Sequence, residues 1–243
     1  MPRSRSRRLI AWALGGLVLL AILVTGSTWL YIHEIEGPAP APLSLKPTAS
    51  GTPAATASTP ASGGTTASGS IAGSWKVSAG SLVGYRVDEV LAGQNNVAVG
   101  RTSDITGSLT ISGSTVTSAS FSVPMDTIKS DESQRDAQFN GRIMQTATYP
   151  TGTLSLTSPI KLGSVPATGA VKTYQASATL MLHGQSRAVT FTLQAERTTA
   201  GLSVSGSIPV LFAHWDISNP SFDGFVTTQN HGLLKFLVKF TRS

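Results

Sequence analysis

From Gly73 to the C-terminus, apolar and polar residues alternate with period two in one segment after another, which restricts this region to β-sheet. The last segment shows it most plainly: within 232–242, Leu234, Phe236, Val238 and Phe240 share one face, and Lys235 and Lys239 occupy the other. Tyr174, Ala176, Ala178, Leu180 and Leu182 alternate up to His183-Gly184-Gln185-Ser186. Val189, Phe191, Leu193 and Ala195 alternate on the way back, so 173–197 reads as a hairpin. Shorter strand-like runs cover 82–87 and 105–111; Phe121 and Val123 share a face before Pro124, and Leu154, Leu156, Ser158 and Ile160 share another. Only 130–142, SDESQRDAQFNGR, reads as a helix, with Asp131 and Glu132 suited to its start and Arg142 to its last turn. About eight or more strands, one short helix and no strand–helix–strand rhythm predict an all-β domain over 71–243, packed on one side and wet on the other. Periodicity alone leaves a sandwich and an up-and-down barrel both open.

The chain ahead of this domain has a different character. Leu9 to Ile32 is a run of 24 residues without a charge, preceded by Arg3, Arg5, Arg7 and Arg8 and followed by His33, Glu34 and Glu36. About 20 apolar residues span a hydrocarbon core of ~30 Å, so 9–32 is expected to be a single transmembrane helix. The positive-inside rule places 1–8 as a basic tail in the cytoplasm and everything beyond residue 33 outside it, with Trp29 and Tyr31 at the outer interface. A cleavable signal peptide is the competing reading; its apolar stretch usually covers only ~7–15 residues, and Pro42 follows the Ala39-Pro40-Ala41 that resembles a cleavage motif. Residues 37–70 contain six prolines, one charge and no aromatic residue, so a disordered linker is expected over 33–70. Treated as a flexible chain it spans on the order of 30–35 Å, close enough to keep the domain near a membrane.

Several chemistries find no support in the residues. Half of the formal net charge of +6 lies before residue 71, and no basic stripe with interleaved aromatics follows, so nucleic acid is not an expected partner. The absence of cysteine rules out disulfides, thiolate metal sites and cysteine nucleophiles. No two histidines have a metal-ligand spacing, and no Gly-x-Ser-x-Gly elbow occurs, so no metal, cofactor or catalytic residue is expected. His183 falls in the hairpin turn, where packing or a backbone bond is the ordinary role, and His231 reads as loop. His214, beside Trp215 and Asp216, is a candidate for a ligand head group, with a structural His–Asp pair as the simpler role.

Several blocks in order resemble the YceI-like polyisoprenoid-binding family. They are Ser81-Leu-Val83-Gly-Tyr85, then Val123-Pro-Met-Asp126-Thr-Ile128, then Ser130 to Phe139 with its Arg135-Asp136 pair. Ala147-Thr-Tyr149-Pro150, Thr179 to Val189 around Leu182-His183-Gly184, and Ile208 to Ile217 complete the set. The sequence departs from the family pattern at Gly80, Gln138 and His214, where a His, a His and an Arg are common.

The resemblance covers 73–243 and implies an extended, lipocalin-like antiparallel β-barrel with an apolar tunnel for an isoprenoid tail. The inward residues expected to line it are Phe121, Val123, Leu180, Phe191, Leu234, Phe236, Val238 and Phe240. Arg135, Asp136 and His214 are candidates for head-group contact, or, for the first two, for clipping the helix to the barrel. The expected protein is thus a membrane-anchored, extracytoplasmic carrier of an isoprenoid or quinone-like lipid. A filled β-domain that binds other proteins and a lipid-modifying enzyme are the alternatives.

Overall fold

The computed structural model describes residues 39–45 and 70–243, apart from 92, 223 and 225. The expected transmembrane helix at 9–32, the basic tail and most of the linker lie outside the described residues. Among the described residues no helix is long and apolar enough to cross a membrane.

Twelve strands are described: β1 Gly73–Val77, β2 Leu82–Leu91, β3 Gln94–Thr102, β4 Thr106–Ser112, β5 Thr115–Pro124, β6 Thr151–Leu156, β7 Ile160–Lys161, β8 Val171–Leu182, β9 Gln185–Arg197, β10 Leu202–Leu211, β11 Val226–Thr228 and β12 His231–Arg242. Eight of them form a ring in the order β1-β4-β5-β6-β8-β9-β10-β12, and β12 pairs back to β1 through Trp75↔Arg242 and Val77↔Phe240. Every pairing around the ring is antiparallel. The sheet therefore closes into an eight-stranded barrel, each strand of the ring pairing with a neighbour on both sides over at least part of its length. Further along β12, β2 takes over from β1 with Leu234↔Tyr85 in register, and β3 and β11 pair with β2 outside the ring.

The alternation read from the sequence is what the barrel buries. On β8, Ala176, Ala178 and Leu180 are each 2% exposed, while Thr173 and Gln175 face solvent. The β8–β9 turn has two residues, His183 and Gly184, both at positive φ (48° and 74°), as a type I′ hairpin requires. A Cβ at position 184 would lie 2.7 Å from the Tyr149 ring, so glycine is needed there for space as well as for conformation.

One expectation needs correction. The helix anticipated over 130–142 is shorter: α1 covers Ser133–Gln138 and gives way to a π-turn at Phe139–Ile143, closed by Met144 N–H donating to Phe139 O at 2.8 Å. Asn140-Gly141 supports a regular helix poorly, and the wider turn lets Phe139 stack on Tyr85 with centroids 5.1 Å apart. Of the stretch expected to be a linker, 33–70, residues 39–45 are described and lie against the outer face of β2 and β3. Arg86 donates to Pro40 O at 3.1 Å and Arg101 donates to Ala41 O. Leu43 is half-buried there, and a segment with prolines at 40 and 42 has little backbone freedom to lose on docking.

Candidate functional site

The inward faces do not meet at the barrel axis. They enclose a cavity of about 200 Å³, and all eight residues named above for a lumen line it: Phe121, Val123, Leu180, Phe191, Leu234, Phe236, Val238 and Phe240. The space arises where small side chains face inward, at Gly152, Ala176, Ala178 and Ala195. Aromatic rings then set its shape: Phe191 meets Phe236 edge to face at 5.9 Å, and Phe121 is tilted against Phe240 at 5.9 Å. The Phe236 ring lies over Gly206, where a Cβ would come within 2.4 Å of it, so one side of this ring packs on bare backbone. The lining is hydrocarbon except for Thr153, Tyr174, Glu196 and Arg197. Apolar cavities of about 150 Å³ are known to stay dry and to take up apolar molecules.

A second cavity of about 130 Å³ lies between α1 with its π-turn and the β2–β3 end of the barrel. Met125, Ile128, Leu182 and Leu234 line both cavities and so stand between them. Its charged rim is Glu89 and Arg135, whose atoms are 3.5 Å apart, and Arg135 also bonds Asp131. Tyr85 borders it, and burial pushes that phenol far above its ordinary range, with the nearby Arg135 opposing the shift. Asp136 points away to Ser130 and accepts from its N–H and its hydroxyl, both at 2.8 Å. Asp136 thus fixes the loop ahead of α1, and Arg135 ties α1 to β2. Only Arg135 also faces a cavity.

The histidines are spread over separate places. The Nδ1 of His183 lies 3.0 Å from Trp215 O, which makes Nδ1 the protonated nitrogen, and the ring packs edge-on to Tyr149 at 4.4 Å. This is the backbone bond and packing expected of it. His214 is exposed on a 3₁₀ turn, Phe212–Trp215, and Arg187 donates to its carbonyl. The expected His214–Asp216 pair is absent among the described residues: Asp216 accepts instead from Gln185 Nε2 at 2.8 Å. Asp216 is left-handed, φ 52°, and closes the 3₁₀ turn, with Ile217 N–H donating to Phe212 O at 3.1 Å, while its carboxylate reaches the start of β9. His231 is exposed, with Nδ1 3.3 Å from Asn230 Oδ1. No group of three or more His, Asp or Glu among the described residues is placed to hold a metal.

Sequence reasoning placed Tyr174 and the alanines of β8 and β9 on the inward face without assigning them to a site. The available signal was the size pattern Tyr174-x-Ala176-x-Ala178, in which small inward residues leave a barrel of this size unfilled.

Among curated proteins, none matches the sequence significantly. Among solved structures, a polyisoprenoid binding domain from Saccharophagus degradans implicated in plant cell wall breakdown superposes with a TM-score of 0.57 at 15% identity. That match covers 70% of this chain and 98% of the other. BcnA of Burkholderia cenocepacia superposes with a TM-score of 0.53 at 17% identity, covering 67% of this chain and 98% of the other. At such identities the likeness is one of fold. A family model matches residues 75–240, from the first strand of the barrel to the last, and by that match the chain belongs to the YceI-like domain family.

Proposed function

We propose that the barrel is a lipid-binding module that holds an isoprenoid or a similar long apolar chain, such as a quinone tail, in its lumen. The observation that carries this reading is the apolar cavity inside a closed barrel, where a filled core would have left no such space. Each CH₂ moved from water into such a lumen contributes ~0.8 kcal/mol before ordering costs, so several isoprene units suffice for binding without a charged anchor. The Saccharophagus degradans domain of the same fold, described as polyisoprenoid binding, supports the ligand class. The reading is one of binding, not catalysis.

The uncharged run at 9–32 and the arginines before it support a second part of the proposal: the barrel is tethered to the outer side of a cell membrane, next to the lipid it would take up. Equilibrium titration of the delipidated barrel with an octaprenyl quinone tests the lipid part. Saturable binding with a rise in melting temperature is expected, because a ligand that binds only the folded state stabilises it by RT ln(1 + [L]/Kd). Absence of both would leave the filled, protein-binding domain as the better account.

A further inference from the structure

One residue lining the main cavity carries a buried polar atom with no hydrogen-bond partner among the described residues. Tyr174 lines the cavity from β8, and its hydroxyl is sealed from solvent without a hydrogen bond, although the residue as a whole is only half-buried. A buried hydroxyl left unbonded destabilises the fold that contains it, so its presence calls for a partner in another state of the molecule. Burial holds the phenol above its ordinary range, so it remains an O–H donor at neutral pH.

The position of Tyr174 is equally specific. β6 pairs with β8 only from Thr153↔Met181 to Leu156↔Ala178, and a last bond runs from Thr157 N–H to Ser177 O at 2.9 Å. Beyond that point the chain leaves β8, and β7 pairs with β5 instead, at Thr115 and Val116. Tyr174 thus stands beside a stretch of wall where, among the described residues, β8 has no strand on that side. The loop ahead of β8 is held across the gap by Lys172 Nζ, which donates to Ser164 O at 3.3 Å. Cavity residues near the gap, such as Leu156, Leu162 and Pro166, are half-buried. Those at the opposite end are closed off, with Leu180 2% and Met125 7% exposed.

We infer that the Tyr174 hydroxyl donates a hydrogen bond to a neutral acceptor oxygen, a carbonyl or an ether, near one end of an otherwise hydrocarbon ligand. That end lies at the β7–β8 gap, and the tail runs toward Met125. A neutral oxygen fits because the nearest inward residues, Ala176 and Leu193, are apolar, and the charged residues lining this end, Glu196 and Arg197, are of opposite sign and offer a ligand no net charge to pair with. This inference rests on the lipid-binding reading and narrows it to a ligand with a polar atom at a fixed place.

The test compares two probes on the full chain held in an amphipathic polymer: a tetraprenyl ketone, and the hydrocarbon of the same skeleton without the oxygen. Wild type is expected to prefer the ketone about tenfold, the effect of one hydrogen bond made in a dry site. Tyr174→Phe is expected to abolish that preference, leave the hydrocarbon affinity unchanged, and melt no lower than wild type when empty. An unchanged ketone preference in Tyr174→Phe, or an equal loss for both probes, would overturn the assignment. Failure of wild type to bind either probe would instead refute the lipid reading, and the subsite with it.

Discussion

Replacing Ala178 with Leu separates a hollow barrel from a filled one by the sign of the effect. Ala178 is 2% exposed, lines the main cavity, and sits between Leu156 and Val189 on the neighbouring strands. In a hollow lumen the added methyls find space. Three extra carbons contribute about 2.4 kcal/mol at ~0.8 each, and fixing the Leu rotamer costs about 0.5–1. The empty protein should therefore gain about 1.5 kcal/mol, a rise in melting temperature of roughly 3–6 °C for a domain of this size. In a filled core the same change overpacks and costs about 1–3 kcal/mol. Denaturant unfolding of delipidated wild-type and Ala178→Leu protein reads the difference directly, and the variant should bind lipid more weakly because Leu occupies ligand space. A destabilised empty variant with undiminished lipid binding would refute the argument.

Three further outcomes follow from the structure. Phe236→Ala should weaken lipid binding yet cost the empty barrel only about 2–3 kcal/mol, below the 3–5 of a fully packed phenylalanine, because only one side of the ring packs on Gly206; calorimetry of the empty protein checks this. Gly184→Ala should destabilise by at least ~1–2 kcal/mol from the left-handed backbone alone, and by more from the clash with Tyr149, as read by thermal unfolding. A reporter fused after residue 243 should be active only outside the cytoplasm; native protein in the soluble fraction with its N-terminus near Ala41 would show that the 9–32 segment is cleaved.

The parts of the fold that were legible in the sequence are those set by neighbouring residues. The β8–β9 hairpin announces itself because both strands alternate without interruption on either side of His183-Gly184, and β12 does so through four inward apolar residues between lysines. Closure was not legible. It rests on Trp75 pairing with Arg242, at opposite ends of the domain, and no local period encodes such a contact. Whether inward faces touch or leave a lumen depends on strand number and stagger, to which alternation is blind. Inward alanines at 176 and 178 were the available sign of space, and they were easily taken for ordinary core. The His214–Asp216 expectation failed for a related reason: adjacency in sequence suggested a pair, whereas the turn at Asp216 hands its carboxylate to Gln185.

The central claim, that the lumen holds a long apolar lipid, is tested most directly by mass spectrometry of an organic extract from the barrel, residues 70–243, purified without detergent. The account predicts an isoprenoid or comparable long-chain lipid at close to one per barrel, displaced when Ala178 is replaced by Leu. Lipid-free protein that also fails to take up added polyprenyl quinone would contradict it.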